Sequence, residues 1–128
     1  MAPAVPAQDW ERQAVPSEGP VARIGGDPII LGAVDKSEID AVVLKHMNAI
    51  RYCYTLELEE NPTLSGKLVI KFVIAQDGSV SSASTKATTM NNPAVEDCVS
   101  GRFKTFMFPE PKGGGIAIVS FPLAFFPS

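Results

Sequence analysis

Residues 67–75 constrain the fold more than any other stretch of this chain. In Lys67-Leu68-Val69-Ile70-Lys71-Phe72-Val73-Ile74-Ala75 the bulky side chains Leu68, Ile70, Phe72 and Ile74 recur at every second position. Successive side chains of a strand point to opposite faces, so this spacing predicts a strand with one face in a core. Gln76-Asp77-Gly78-Ser79 follows, and Asp-Gly is a dipeptide that readily takes the positive φ of a hairpin turn. The chain returns as Val80-Ser81-Ser82-Ala83-Ser84-Thr85-Lys86-Ala87, which completes a predicted hairpin. Its register stays open, because a two-residue turn and a longer turn with a glycine bulge put Val80 on opposite faces.

Two helices are predicted around this hairpin. Asp35-Lys36-Ser37-Glu38 has the cap and reciprocal glutamate of a capping box, so a helix starts at Asp35, and Asn61-Pro62 ends it. At about 100° per residue, Ile39, Val42, Val43, Ile50, Cys53 and Tyr54 share one stripe, away from Lys36, Lys45, Asn48, Arg51 and Glu59. Asn92-Pro93 supplies a cap and a first helical residue for the second helix, expected to reach Phe106 with Val95, Cys98, Val99, Phe103 and Phe106 inward. A third strand is predicted over residues 116–125. The second strand is rich in Ser and Thr, and the third contains Pro122, which cannot donate to a ladder and belongs on an edge or at a bulge. Only the first strand is apolar enough to be central. The expected fold is α+β in the order α-β-β-α-β, a three-stranded antiparallel sheet of order 2-1-3 with two helices on one face.

With 128 residues there is room for one core and one domain. Residues 1–28 hold five of the eleven prolines, Gly19, Gly25 and Gly26, and no apolar period, which predicts a flexible Pro/Ala/Gly-rich linker before a domain over residues 29–128. Trp10 reads as a tail residue in that linker, and Ile29-Ile30-Leu31 as a short strand or a lead-in to the first helix. The start, Met1-Ala2-Pro3, reads as a beginning placed inside a longer protein's linker. The net charge of −3, from 11 basic and 14 acidic residues, argues against nucleic acid as a partner. No apolar run approaches the roughly 20 residues needed to span a bilayer.

Candidate chemistry is sparse. Cys53 and Cys98 both face inward on helices that share a sheet face, which suits a disulfide and is also compatible with two buried thiols. His46, the only histidine, reads as a half-buried packing residue, since a zinc site needs three or four ligands at suitable spacing. Glu57 falls on the same sector and gives no acid–base pair with it. Gly113-Gly114-Gly115 precedes a strand, whereas a phosphate loop precedes a helix, so a connector is expected. Lys67, Lys71 and Lys86 read as a solvated strand face or edge protection, with an acidic partner surface as the alternative. No catalytic residue, metal ion or cofactor is expected.

Six pieces, in order and spacing, resemble the TonB-like C-terminal domain of the AgmX/PglI type, found in gliding-motility proteins of myxobacteria. They are Ile50-Arg51-Tyr52-Cys53-Tyr54, Leu64-Ser65-Gly66-Lys67, Val73-Ile74-Ala75-Gln76-Asp77-Gly78-Ser79-Val80, Asn92-Pro93-Ala94-Val95-Glu96-Asp97-Cys98-Val99, Phe108-Pro109-Glu110-Pro111-Lys112-Gly113-Gly114-Gly115 and the apolar end. They span residues 33–126. Phe106-Met107-Phe108 departs from the pattern, where a basic or tryptophan residue would stand. The resemblance implies a periplasmic domain of an inner-membrane-anchored bacterial envelope protein, working in energy transduction, transport or gliding motility. It further implies an oxidising compartment in which a Cys53–Cys98 bond would persist. Such domains couple proton-driven inner-membrane motor proteins to an outer-membrane or periplasmic protein segment, a TonB-box-like peptide taken up as an added strand. The edge expected to receive it is Ile116, Ala117, Ile118, Val119, Ser120 and Phe121. A structural or oligomerisation module, pairing that edge with a second copy as a homodimer, is the alternative function.

Overall fold

The computed structural model describes residues 19–127. The elements in chain order are β1 (Val21–Ile24), β2 (Ile29–Leu31), α1 (Lys36–Lys45), α2 (Met47–Leu58), β3 (Gly66–Ile74), β4 (Val80–Thr88), α3 (Pro93–Phe103), a 3-10 turn (Lys112–Gly114) and β5 (Ala117–Phe126). The sheet order is β1-β5-β3-β4, with β2 also paired to β5, and all pairings are antiparallel.

The expected three-stranded α-β-β-α-β sheet is therefore corrected to five strands and three helices among the described residues. Two of the additional elements come from a stretch too short and irregular to show a period. β1 lies within residues 1–28, assigned above to a linker; residues 1–18 of that linker, Trp10 included, fall outside the described residues. The third addition comes from a break at His46 (φ −107°, ψ 13°), which splits the single helix expected from Asp35 into α1 and α2. No proline or glycine marks the break. His46 instead turns its ring onto Phe106, with centroids 4.3 Å apart and planes 13° from parallel.

β5 was expected to be an edge strand, and it is an interior one. β1 pairs with Leu123 to Phe126, and β2 with Ile118 to Ser120, so the two short strands lie end to end along its outer side. Pro122 falls in the gap between them. Residues of a strand alternate in the side to which they direct N–H and C=O, and the Pro122 carbonyl accepts from Gly25 N–H at 3.0 Å on the outer side. Its missing N–H therefore faces the Gly25-Gly26-Asp27-Pro28 connection, where the ladder is already interrupted, and the inference that proline marks a free edge fails.

Burial alternates along the strands. Leu68, Ile70, Phe72 and Ile74 of β3 and Ala117, Val119, Phe121, Leu123 and Phe125 of β5 are fully buried toward the helices. Around them Phe103 of α3 meets Phe72 at 5.1 Å, Phe106 at 4.8 Å and Phe121 at 6.4 Å between ring centroids. Tyr54 of α2 packs on Phe125 at 5.1 Å and donates its hydroxyl to the Leu64 carbonyl, while burial pushes its phenol above the usual range. Local signals account for the helix starts. The Asp35/Glu38 capping box is formed, and the Asn92 side chain accepts from Val95 N–H at 3.0 Å.

The hairpin turn takes the longer form. Ala75 and Ser79 bracket it through Ala75 N–H to the Ser79 carbonyl (2.7 Å), and Gly78 adopts φ +88°. Asp77 accepts from both the N–H (3.0 Å) and the hydroxyl (2.6 Å) of Ser79, which holds its carboxyl below the ordinary value. Gly78 is required twice over. Its φ lies in the left-handed region, and a Cβ there would run into the Phe108 carbonyl oxygen, in a segment held close by Phe108 N–H donating to the Gly78 carbonyl at 2.9 Å. Gly78→Ala is expected to destabilise by on the order of 3 kcal/mol, combining positive-φ strain with displacement of the Phe108 segment. Urea unfolding checks this, and a loss below about 1 kcal/mol would contradict the close approach.

Candidate functional site

Cys53 on α2 and Cys98 on α3 are joined by a disulfide, with S–S 2.07 Å and Cα–Cα 5.7 Å. Both lie on the sides of their helices that face each other over the sheet; Cys53 is buried and Cys98 half-buried. Glu57, one turn after Cys53, accepts from the Asn92 side chain at 3.4 Å, a second tie between α2 and the start of α3. His46 is half-buried against Phe106, and no group of three His, Cys, Asp or Glu able to hold a metal occurs among the described residues. Gly113-Gly114-Gly115 closes a turn beside the hairpin, where the Gly114 carbonyl accepts from the Gln76 side chain. The bond places this loop over the hairpin end, a connector's position.

The strand expected to receive a partner does not offer its edge. Main-chain groups of Ile118 and Ser120 that point away from β3 face β2, and those of Ala124 and Phe126 face β1. Ile116 lies outside β5 and is exposed, and Ala117, Val119 and Phe121 direct their side chains into the core. The six residues 116–121 therefore present neither a free ladder nor an alternating row of accessible side chains.

The sheet's other end is different. Among the described residues β4 is paired on one side only, to β3. The ladder phase is set by Thr89 N–H donating to the Lys67 carbonyl at 2.9 Å, so β3 residues Lys67, Val69, Lys71 and Val73 bond toward β4. Ala83 and Thr85, opposite Phe72 and Ile70, then turn their N–H and C=O groups outward. Along this edge runs a groove of 320 Å³, walled by Ala83, Ser84 and Thr85 of β4 and by Glu96, Asp97, Ser100, Gly101 and Lys104 on or just after α3. Carboxylates stand toward the start of α3 and an ammonium just beyond its end.

Gly101 is the informative residue of the wall. A glycine inside a helix costs about 1 kcal/mol relative to alanine. Here a Cβ would meet nothing within 4 Å, and the backbone φ is not positive. No packing or conformational need within the domain explains the glycine, whereas a floor without a side chain widens the groove. The sequence carried two signals for this site: a Ser/Thr-rich strand at an outer position, and a glycine in the interior of a helix. Neither marks a site without the sheet order, because Pro122 taken alone places the edge at the other end of the sheet.

Comparisons with protein-family models, with curated proteins and with solved structures found no match. No helix among the described residues is long and apolar enough to cross a membrane.

Proposed function

We propose that this chain is a non-catalytic, disulfide-stapled domain that binds a segment of another protein. More specifically, it is a periplasmic domain that takes an extended peptide as an added strand along β4, between that edge and α3. The observation that carries the reading is the unpaired outer side of β4 facing an open groove of 320 Å³. In strand addition the edge's main-chain groups supply much of the affinity and the opposing wall reads alternate side chains. Ala83 and Thr85 offer the ladder, Gly101 leaves room for a side chain, and Glu96, Asp97 and Lys104 give the two ends opposite charge. The periplasmic assignment is supported by the Cys53–Cys98 bond, which persists in oxidising compartments, and by the resemblance to TonB-like C-terminal domains, whose partners are outer-membrane or periplasmic segments.

Thr85→Pro is the discriminating variant, because an outward-facing N–H on an edge strand is not used inside the fold and proline is tolerated there. Displayed random peptides are selected on the wild-type domain and re-measured on the variant. The expected result is peptides that shift the amides of Ala83, Thr85 and Gly101 and that lose about tenfold or more in affinity with Thr85→Pro, while urea unfolding moves by less than about 1 kcal/mol. Selected peptides that map elsewhere, or that bind the variant equally, would reject the site. Concentration-dependent dimerisation through β4 without peptide would favour an oligomerisation module.

A further inference from the structure

Among the described residues the sheet carries helices on one face only, and the other face has a charge pattern unlike the rest of the chain. No Asp or Glu occurs in any of the five strands. The strands hold four cations, Arg23, Lys67, Lys71 and Lys86, in a protein whose net charge is −3. All four emerge on the helix-free face. Arg23 and Lys67 flank Ala124 in the register, Lys71 pairs with Ser120, and Lys86 reaches across β3 to donate to the Ser120 hydroxyl at 3.2 Å. None of the four makes an ion pair among the described residues.

Edge protection does not explain this arrangement. Lysines that guard a sheet belong on its outer strands, whereas Lys67 and Lys71 lie on β3, paired on both sides. A face kept merely soluble would mix charges of both signs. Apolar groups lie among the cations: Ile29 and Leu31 of β2 are 60% and 64% exposed, and Val69, Val73 and Ile118 are half-buried. Beside Lys67, a depression of 220 Å³ is floored by Val69 and Ala87 and bounded by Thr88 and Thr89, large enough for one aliphatic side chain.

We propose that this helix-free face is a second docking surface, taking an acidic segment of a partner protein that also carries apolar side chains. Carboxylates would meet the row formed by Lys67, Lys71 and Lys86, and an aliphatic side chain would enter the depression at Val69. A partner protein fits better than an anionic membrane. Lys67 and Lys71 stand on the interior strand β3 and Lys86 reaches inward to Ser120, so cations hold the centre of this face, whereas a membrane-seated face puts apolar groups foremost and cations around them.

The experiment titrates the isotope-labelled domain with two synthetic amphipathic helical peptides having the same leucines, one bearing glutamates and the other lysines. The expected result is that only the glutamate peptide shifts the amides of Arg23, Lys67, Val69, Lys71 and Ile118. Its affinity should fall about tenfold or more between about 50 mM and about 500 mM salt. The Lys71→Glu, Lys86→Glu double variant, its fold verified by circular dichroism, should lose about tenfold or more, while Thr85→Pro should bind as the wild type does. Equal binding of both peptides, shifts confined to the helices, or no shifts at millimolar peptide would overturn the proposal. So would loss of binding in Thr85→Pro, which would place the peptide in the β4 groove. Cosedimentation with phosphatidylglycerol vesicles that the glutamate peptide fails to compete away would transfer the surface to membranes.

Discussion

A Cys53→Ala, Cys98→Ala double variant is expected to lose about 4 kcal/mol of stability. The bond closes a chain separation of 45 residues, and loop closure of that length removes about this much free energy from the unfolded ensemble in the chain-entropy model. Small domains have only about 5–15 kcal/mol to lose. Alanine avoids burying a hydroxyl at Cys53, where no partner waits for one. Urea unfolding of the variant, beside the wild type with and without reductant, provides the measurement. The reduced wild type should approach the variant. A variant within about 1 kcal/mol of the oxidised wild type would mean that the helices α2 and α3 are held together without the bond. Because α3 forms one wall of the β4 groove, losing the bond should also weaken peptide binding before the domain unfolds.

Phe103→Ala is expected to cost about 4 kcal/mol, as large-to-small changes in a closed aromatic core do. Its ring is fully buried and lies within 4.8 to 6.4 Å, between centroids, of Phe72, Phe106 and Phe121. These neighbours come from β3, from the segment after α3 and from β5, so one truncation loosens three parts of the core. Denaturant unfolding measures the loss, and hydrogen exchange should show α3 opening more readily than β3 does. A cost below about 2 kcal/mol would show that the neighbours close over the cavity.

Local regularities reached the parts of the fold in which each residue's role depends on its near neighbours. The alternation of Leu68, Ile70, Phe72 and Ile74, the glycine at 78, the Asp35/Glu38 box and the Asn92 cap each act over a few residues. The inward phase of Cys53 and Cys98 was visible because helical periodicity needs only the chain itself. β1 was not visible, and β2 only as one of two readings of Ile29-Ile30-Leu31. Val21-Ala22-Arg23-Ile24 and Ile29-Ile30-Leu31 are too short for a period, and their extended form depends on partners about a hundred residues away in β5. The break at His46 was hidden for a similar reason, since its counterpart is the Phe106 ring.

Pro122 shows most clearly where sequence reasoning stops. That a proline cannot donate a ladder hydrogen bond follows from its ring alone; which side of the strand its nitrogen faces does not. Tertiary pairing decided that the nitrogen faces a gap between two short strands. That made β5 an interior strand, removed the edge at residues 116–121, and left the free ladder on β4. The sequence by itself determined which segments are helix and hairpin and which way their apolar stripes face, because propensity, capping and periodicity act within one element. Only the tertiary structure decided which edge is open, which helix stands beside it, and that the strand cations share one face, because these depend on which distant segments meet.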